Sequence, residues 1–334
     1  MQDIEHGITR RGVVRRLGGL AAGAALGGVG AAAPAQATYP SKLVTIVVPF
    51  GGGNAYDQMV RYVAERLQAA TGQAFIVDAK QGALGGVAAS YVARQAADGY
   101  TVLFGANSTH AANVHLFKKL QYDPVADFSP VTTLATIPQV LVVSPTLGVK
   151  DLPELIALAK RQPGKLNYGS SSATGRVASE AFRQMAGIDA VHVPYRTSAQ
   201  AITDLIGGQL HFMITDAGLG IAQWRGGKVQ ALGISAARRV ASVSDLPTIA
   251  EAGLPGYEFN AWLALFVPAR TPPEVVKQLS DLANDVVRSP GMASYLANLY
   301  AEPLPGDPES LRRLVERDTA RWGQLIKAAG IEPE

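Results

Sequence analysis

From Lys42 onward, short runs rich in β-branched residues alternate with amphipathic stretches, the pattern of parallel strands joined by covering helices. The first unit sets the rhythm. Residues 43–48 read as a strand, Pro49-Phe50-Gly51-Gly52-Gly53 breaks it, and Met59, Val63, Leu67 and Ala70 then recur on one helical face that Gly72 closes. Residues 75–77 read as a second strand, 81–86 as a glycine loop, 87–95 as a helix and 101–104 as a strand running into Asn107, Ser108, Thr109 and His110. Asp123-Pro124 and Ser129-Pro130 punctuate a connection, after which 139–143 reads as a buried strand crossing to a second unit.

That second unit repeats the logic with helices over 152–160, 176–186 and 199–206 and strands over 166–168, 190–193, 210–214 and 229–234. Residues 262–267 form a return strand, and the helices over 274–287 and 308–329 pack back on the first unit; Leu311, Leu314, Val315, Trp322, Leu325 and Ile326 make the buried face of the last one. The predicted fold is α/β, two doubly wound Rossmann-like lobes of residues 38–138 plus 262–334 and 139–261. Two crossings make a hinge, and a hinged pair of such lobes leaves a cleft lined by loops at the carboxyl ends of strands.

A chain of 334 residues, 48% hydrophobic and 17% charged, has ample apolar surface for two such lobes. Its first 37 residues are set aside from the fold. Arg10-Arg11 and Arg15-Arg16 precede a weakly apolar Ala/Gly/Leu run that ends in Ala35-Gln36-Ala37, which reads as an export signal, by the double arginines the twin-arginine kind, cleaved near Ala37. The run is too short and too rich in glycine for a spanning helix. The segment 1–37 carries four arginines and two acids, so only +1 of the formal charge of +3 belongs to the rest of the chain. A near-neutral chain without a basic cluster gives no footing for nucleic acid. With no cysteine there is neither a lipid-attachment thiol nor a disulfide, and a soluble periplasmic monomer is expected.

The polar loops after the strands carry the functional signal. Gly52, Gly53 and Asn54 stand before a helix, where backbone amides can approach a ligand and the helix start favours negative charge; a tight turn explains the glycines equally well. Ser170, Ser171, Ser172 and Thr174 also precede a helix, and four hydroxyls exceed what one cap needs. Two such loops facing each other could hold a carboxylate without an arginine, while Asn107, Thr109, Thr197, Ser198 and Asp216, each just after a strand, orient the remainder or serve as turn and cap residues. Asp57, in the first turn of its helix, is assigned a structural role against the helix dipole. His110 and His115 sit five apart around a turn and His192 and His211 within apolar strands, so the histidines form no site; neither a zinc motif nor a Ser/His/Asp arrangement is present, and no metal, cofactor or catalysis is expected.

These motifs resemble the Bug-type substrate-binding proteins of tripartite tricarboxylate transporters, from Tyr39 to the C-terminus. The likeness rests on Tyr39-Pro40-Ser41-Lys42, Val47-Val48-Pro49-Phe50 with Asp57 and Arg61 in the next helix, Asp98-Gly99-Tyr100-Thr101, Tyr122-Asp123-Pro124, Pro163-Gly164-Lys165-Leu166-Asn167-Tyr168-Gly169-Ser170, His192-Val193-Pro194-Tyr195 and Leu246-Pro247-Thr248-Ile249-Ala250-Glu251-Ala252-Gly253. The resemblance implies a periplasmic Venus-flytrap receptor that holds a ligand carboxylate between the 52–57 and 170–174 loops and hands it to a membrane permease. Family ligands span aromatic acids, di- and tricarboxylates and acidic amino acids. Two departures bear on the choice. Tyr56 stands where a small hydroxyl residue is usual and could stack on an aromatic acid or pack outside the cleft; Arg176 replaces a frequent histidine and could meet a second carboxylate or solvate the helix end. A sensing receptor and, from another class, a periplasmic enzyme on a similar acid are the alternatives.

Overall fold

The computed structural model describes residues 39–49, 55–328 and 330–333. The predicted export segment and the predicted loop residues Gly52, Gly53 and Asn54 lie outside the described residues. Strand β1 (Val44–Val48) leads to helix α1 (Ala55–Thr71), where Met59, Val60, Val63 and Leu67 are wholly buried. Gly72 ends the helix with φ +70 and an amide bond of 2.8 Å to the Gln68 carbonyl. Strand β2 (Phe75–Ala79), helix α2 (Gly86–Ala93) and strand β3 (Thr101–Ala106) follow, and β1 pairs in parallel with both neighbours. After β3 the chain turns at once into a π-helical stretch, Ser108–Ala112, continuous with α3 (Asn113–Leu116). His110 and His115 therefore stand on one helical segment and not around a turn.

Strand β4 (Phe128–Val143) is sixteen residues long, three times the segment expected from sequence. Pro130 and Pro138 hid its first part. They are tolerated because this stretch carries two register shifts and has only the two-residue strand Glu302–Pro303 on its outer side. Beyond it come α4 (Leu152–Arg161), β5 (Leu166–Ser170), α5 (Ala173–Ala186), β6 (Ala190–Pro194), α6 (Ser198–Ile206), β7 (Phe212–Asp216), α7 (Ala217–Arg225) and β8 (Gln230–Ile234). The return strand β9 (Asn260–Pro268), helices α8 (Pro273–Val287) and α9 (Pro290–Ala297), strand β10 (Glu302–Pro303) and helix α10 (Pro308–Ala328) complete the chain. On α10, Leu311, Val315, Trp322 and Ile326 are buried, and Asp318 accepts a 2.6 Å bond from the Trp262 indole of β9.

The strands form one mixed sheet in the order β2-β1-β3-β9-β4-β7-β5-β6, with β8 and β10 also on β4. Strands β1, β2 and β3 are mutually parallel, as are β5, β6 and β7, while β9 and β4 join the two sets antiparallel. Strand β4 changes partners between Pro138, opposite Asn260 of β9, and Gln139, opposite Asp216 of β7.

This register fixes where a site can form. Ala106, the last residue of β3, lies opposite Leu263, which lies opposite Ala135 of β4; Asp216, the last residue of β7, lies opposite Gln139. Because β3 runs with β4 and β7 against it, the two carboxyl ends point toward each other. Four residue steps along β4, from Ala135 to Gln139, separate them, about 13 Å of strand. Helix α5, which follows β5, packs against the Ser108–Ala112 stretch that follows β3. The helix after β7 was unforeseen, because Gly218 and Gly220 lower its intrinsic propensity. Gly220 is required there: a Cβ would stand 2.2 Å from the Val140 side chain on β4.

Candidate functional site

Each converging corner is built by a short polar turn. At the β5 corner the three serines have separate tasks. The Ser170 hydroxyl bonds His192 Nε2 at 2.8 Å, that of Ser171 bonds Ser198 at 2.7 Å, and that of Ser172 caps α5 by accepting from the Gly175 amide at 3.1 Å. Helix geometry leaves the amides of Ala173 and Thr174 without intrahelical acceptors, so the helix start offers donors and partial positive charge together. Gly175 brings this start close to β7: a Cβ there would lie 3.0 Å from the Ile214 carbonyl oxygen. Thr174 is buried within the first turn.

At the β3 corner, Asn107 and Ser108 are 1% and 4% exposed, and Asn107 Nδ2 and Ser108 Oγ find no hydrogen-bond partner among the described residues. A buried donor without an acceptor costs about 1–3 kcal/mol, so each of these groups calls for a polar partner, whether water or ligand. Thr109 differs. Its hydroxyl donates to the Ala106 carbonyl at 3.0 Å, receives the Ala106 amide at 3.1 Å and meets His110 Nδ1 at 2.9 Å, so it clamps the turn. His110 is a core residue, stacked on Phe266 with 3.6 Å between ring centroids, and burial pushes its pKa down to about 3.

At the β7 corner Asp216 caps α7 through the Leu219 amide at 2.9 Å. Burial raises its pKa, against the lowering effects of the Leu219 amide, its own amide and the Thr215 hydroxyl. The Tyr56 phenol, at the start of α1 on the other side, has its pKa raised first by burial and then by the charge of Asp216. Tyr56 and Asp216 are thus brought together from opposite halves of the sheet, and both keep part of their surface open to solvent. The Tyr56 ring packs against the cluster that contains Met59 and Val60. Asp57 is 6% exposed and holds Arg61 with two bonds of 3.1 Å.

Two predicted residues remain, Thr197 and Arg176. Thr197 is exposed and caps α6 through the Gln200 amide at 3.2 Å. Arg176 stands one turn into α5 beside His192 and Tyr168; burial and the Arg176 charge together lower the His192 pKa. Tyr168 also donates to Glu180, which holds Arg183 at 2.8 Å. Sequence reasoning missed two participants. His192, the partner of Ser170, was set aside as a strand residue although it opens the quoted His192-Val193-Pro194-Tyr195 motif, and Ser108 was passed over between its neighbours. Among the described residues no group of three or more His, Cys, Asp or Glu side chains is placed to hold a metal ion.

Residues 59–331 match the profile of the tripartite tricarboxylate transporter family receptors. The chain belongs to that family. Among curated relatives of this receptor, BugT of Bordetella pertussis is 30% identical over 307 residues, covering 91% of this chain and 94% of its own. Among solved structures, an R. palustris protein with adipate is 38% identical with a TM-score of 0.84, covering 89% of this chain and 100% of its own. MatC from Rhodopseudomonas palustris, with bound malate, is 31% identical with a TM-score of 0.78, covering 86% and 100%. The receptor is of the Bug type and has the α/β fold of periplasmic binding proteins. No described helix is long and apolar enough to cross a membrane.

Proposed function

We propose that this receptor, a monomer in the periplasm, binds a small organic carboxylate without altering it and delivers it to the membrane permease of a tripartite transporter. The observation that carries the reading is the convergence of the β3, β5 and β7 corners beside the point where β4 changes partners. There two buried donors, Asn107 Nδ2 and Ser108 Oγ, lack protein acceptors and the start of α5 points its amides. A carboxylate accepts at both oxygens, and each charge-assisted bond contributes about 1.5–3 kcal/mol. Binding would then supply acceptors that the described residues do not offer these two groups.

The two lobes, 38–138 plus 262–334 and 139–261, are proposed to close about β4 and β9 near Pro138 and Asn260, with the ligand favouring the closed form that the permease reads. The packing of Tyr56 against its own core supports an aliphatic di- or tricarboxylate over an aromatic acid, as do the adipate and malate bound by the two solved relatives. A thermal-shift and calorimetric screen of aliphatic di-acids, tricarboxylates and aromatic acids tests this. At least one acid is expected to raise Tm in a concentration-dependent way and to be recovered unchanged. Stabilisation by none of them, or turnover of the bound acid, would refute the proposal.

A further inference from the structure

Asp216 is an odd residue to find in a pocket for anions. It sits at the tip of β7, opposite Gln139 where β4 changes partners, and near enough to Tyr56 for its charge to raise the phenol's pKa. Its carboxylate receives the Leu219 amide and lies beside the Thr215 hydroxyl. No cation is among the groups that bias it, and it makes no ion pair among the described residues. A half-buried carboxylate at this corner disfavours a second carboxylate brought near it, unless the guest also carries a group that donates to it.

Resting on the carboxylate-receptor reading above, we infer that Asp216 selects acids bearing their own hydrogen-bond donor, a hydroxyl or ammonium beside the carboxylate, over the same acids without it. Such a donor completes the acceptor capacity that the Leu219 amide, the residue's own amide and the Thr215 hydroxyl leave open, and it turns a repulsive neighbour into a binding partner. A site built around a donor discriminates between such analogues, because the one lacking it leaves part of the carboxylate's acceptor capacity unmet beside a second negative charge.

Two matched pairs, malate against succinate and mandelate against phenylacetate, separate this effect from ligand size. Each pair differs by one hydroxyl. Calorimetry on the wild-type protein is expected to favour the hydroxylated member of the better-bound pair by about 10-fold or more. Asp216→Asn keeps a capping side chain for α7 while removing the charge. It should raise affinity for the plain acid and shrink the preference below about 3-fold. Asp216→Ser, also a cap, serves if the asparagine variant folds poorly. Equal affinities within both pairs in the wild type, or a preference unchanged in the charge-free variants, would overturn the assignment to Asp216 while leaving carboxylate capture intact. Binding of none of the four acids would remove the capture reading for these classes, and the inference with it.

Discussion

Gly175→Val is expected to weaken carboxylate binding by about 100-fold while leaving the protein folded. A Cβ at this position would meet the Ile214 carbonyl oxygen at 3.0 Å and the Ser172 hydroxyl at 3.4 Å, and the carbonyl belongs to a strand that cannot yield. The start of α5 must move instead. That shift pulls the Ala173 and Thr174 amides away from the pocket, and losing two charge-assisted bonds of about 1.5 kcal/mol each corresponds to roughly two orders of magnitude in affinity. The stability cost of the added side chain is about 1–3 kcal/mol, which urea unfolding measures separately. Affinity within 3-fold of wild type in a folded variant would show that the helix start does not hold the ligand.

The second large effect concerns acid stability. His110 is 0% exposed and stacked on Phe266, and its folded-state pKa of about 3 lies below the value of about 6.5 for an unfolded histidine. Between those values the unfolded chain binds a proton that the native one refuses. Stability from this residue is therefore complete above about pH 6.5 and is lost as the pH falls toward 3, at about 1.4 kcal/mol per unit. Urea unfolding at pH 7 and pH 5 should show the wild type losing about 2 kcal/mol more between the two than His110→Gln does. Equal losses in both proteins would mean that His110 is protonated in the native state at pH 5.

Much of the fold was legible because burial imposes periodicity. The stripe Met59, Val63, Leu67 gave α1, and the β-branched runs gave the parallel strands at their observed positions within a few residues. Legibility failed where tertiary contacts override local preference. Pro130 and Pro138 argue against a strand and yet lie in β4, because bulges and a nearly open outer side excuse them; Gly220 argues against a helix and yet is demanded by the approach of α7 to Val140. The same division holds at the site. Position after a strand pointed to Asn107, Ser170 and Asp216, since chain order places loops at strand ends. It could not separate the clamp Thr109 from the open donor Asn107, or find His192 beneath Ser170, because those distinctions depend on which hydroxyl meets which neighbour across the sheet.

The central claim is that oppositely directed strand ends meet at the partner change of β4 to enclose an acid. A crystal structure of the protein with the tightest acid from the screen tests it most directly. The expected electron density places a carboxylate within 3.2 Å of an α5 N-terminal amide, with Asn107 and Ser108 turned toward the same ligand. An acid bound away from these corners, with Asn107 Nδ2 and Ser108 Oγ still unpaired, would contradict it.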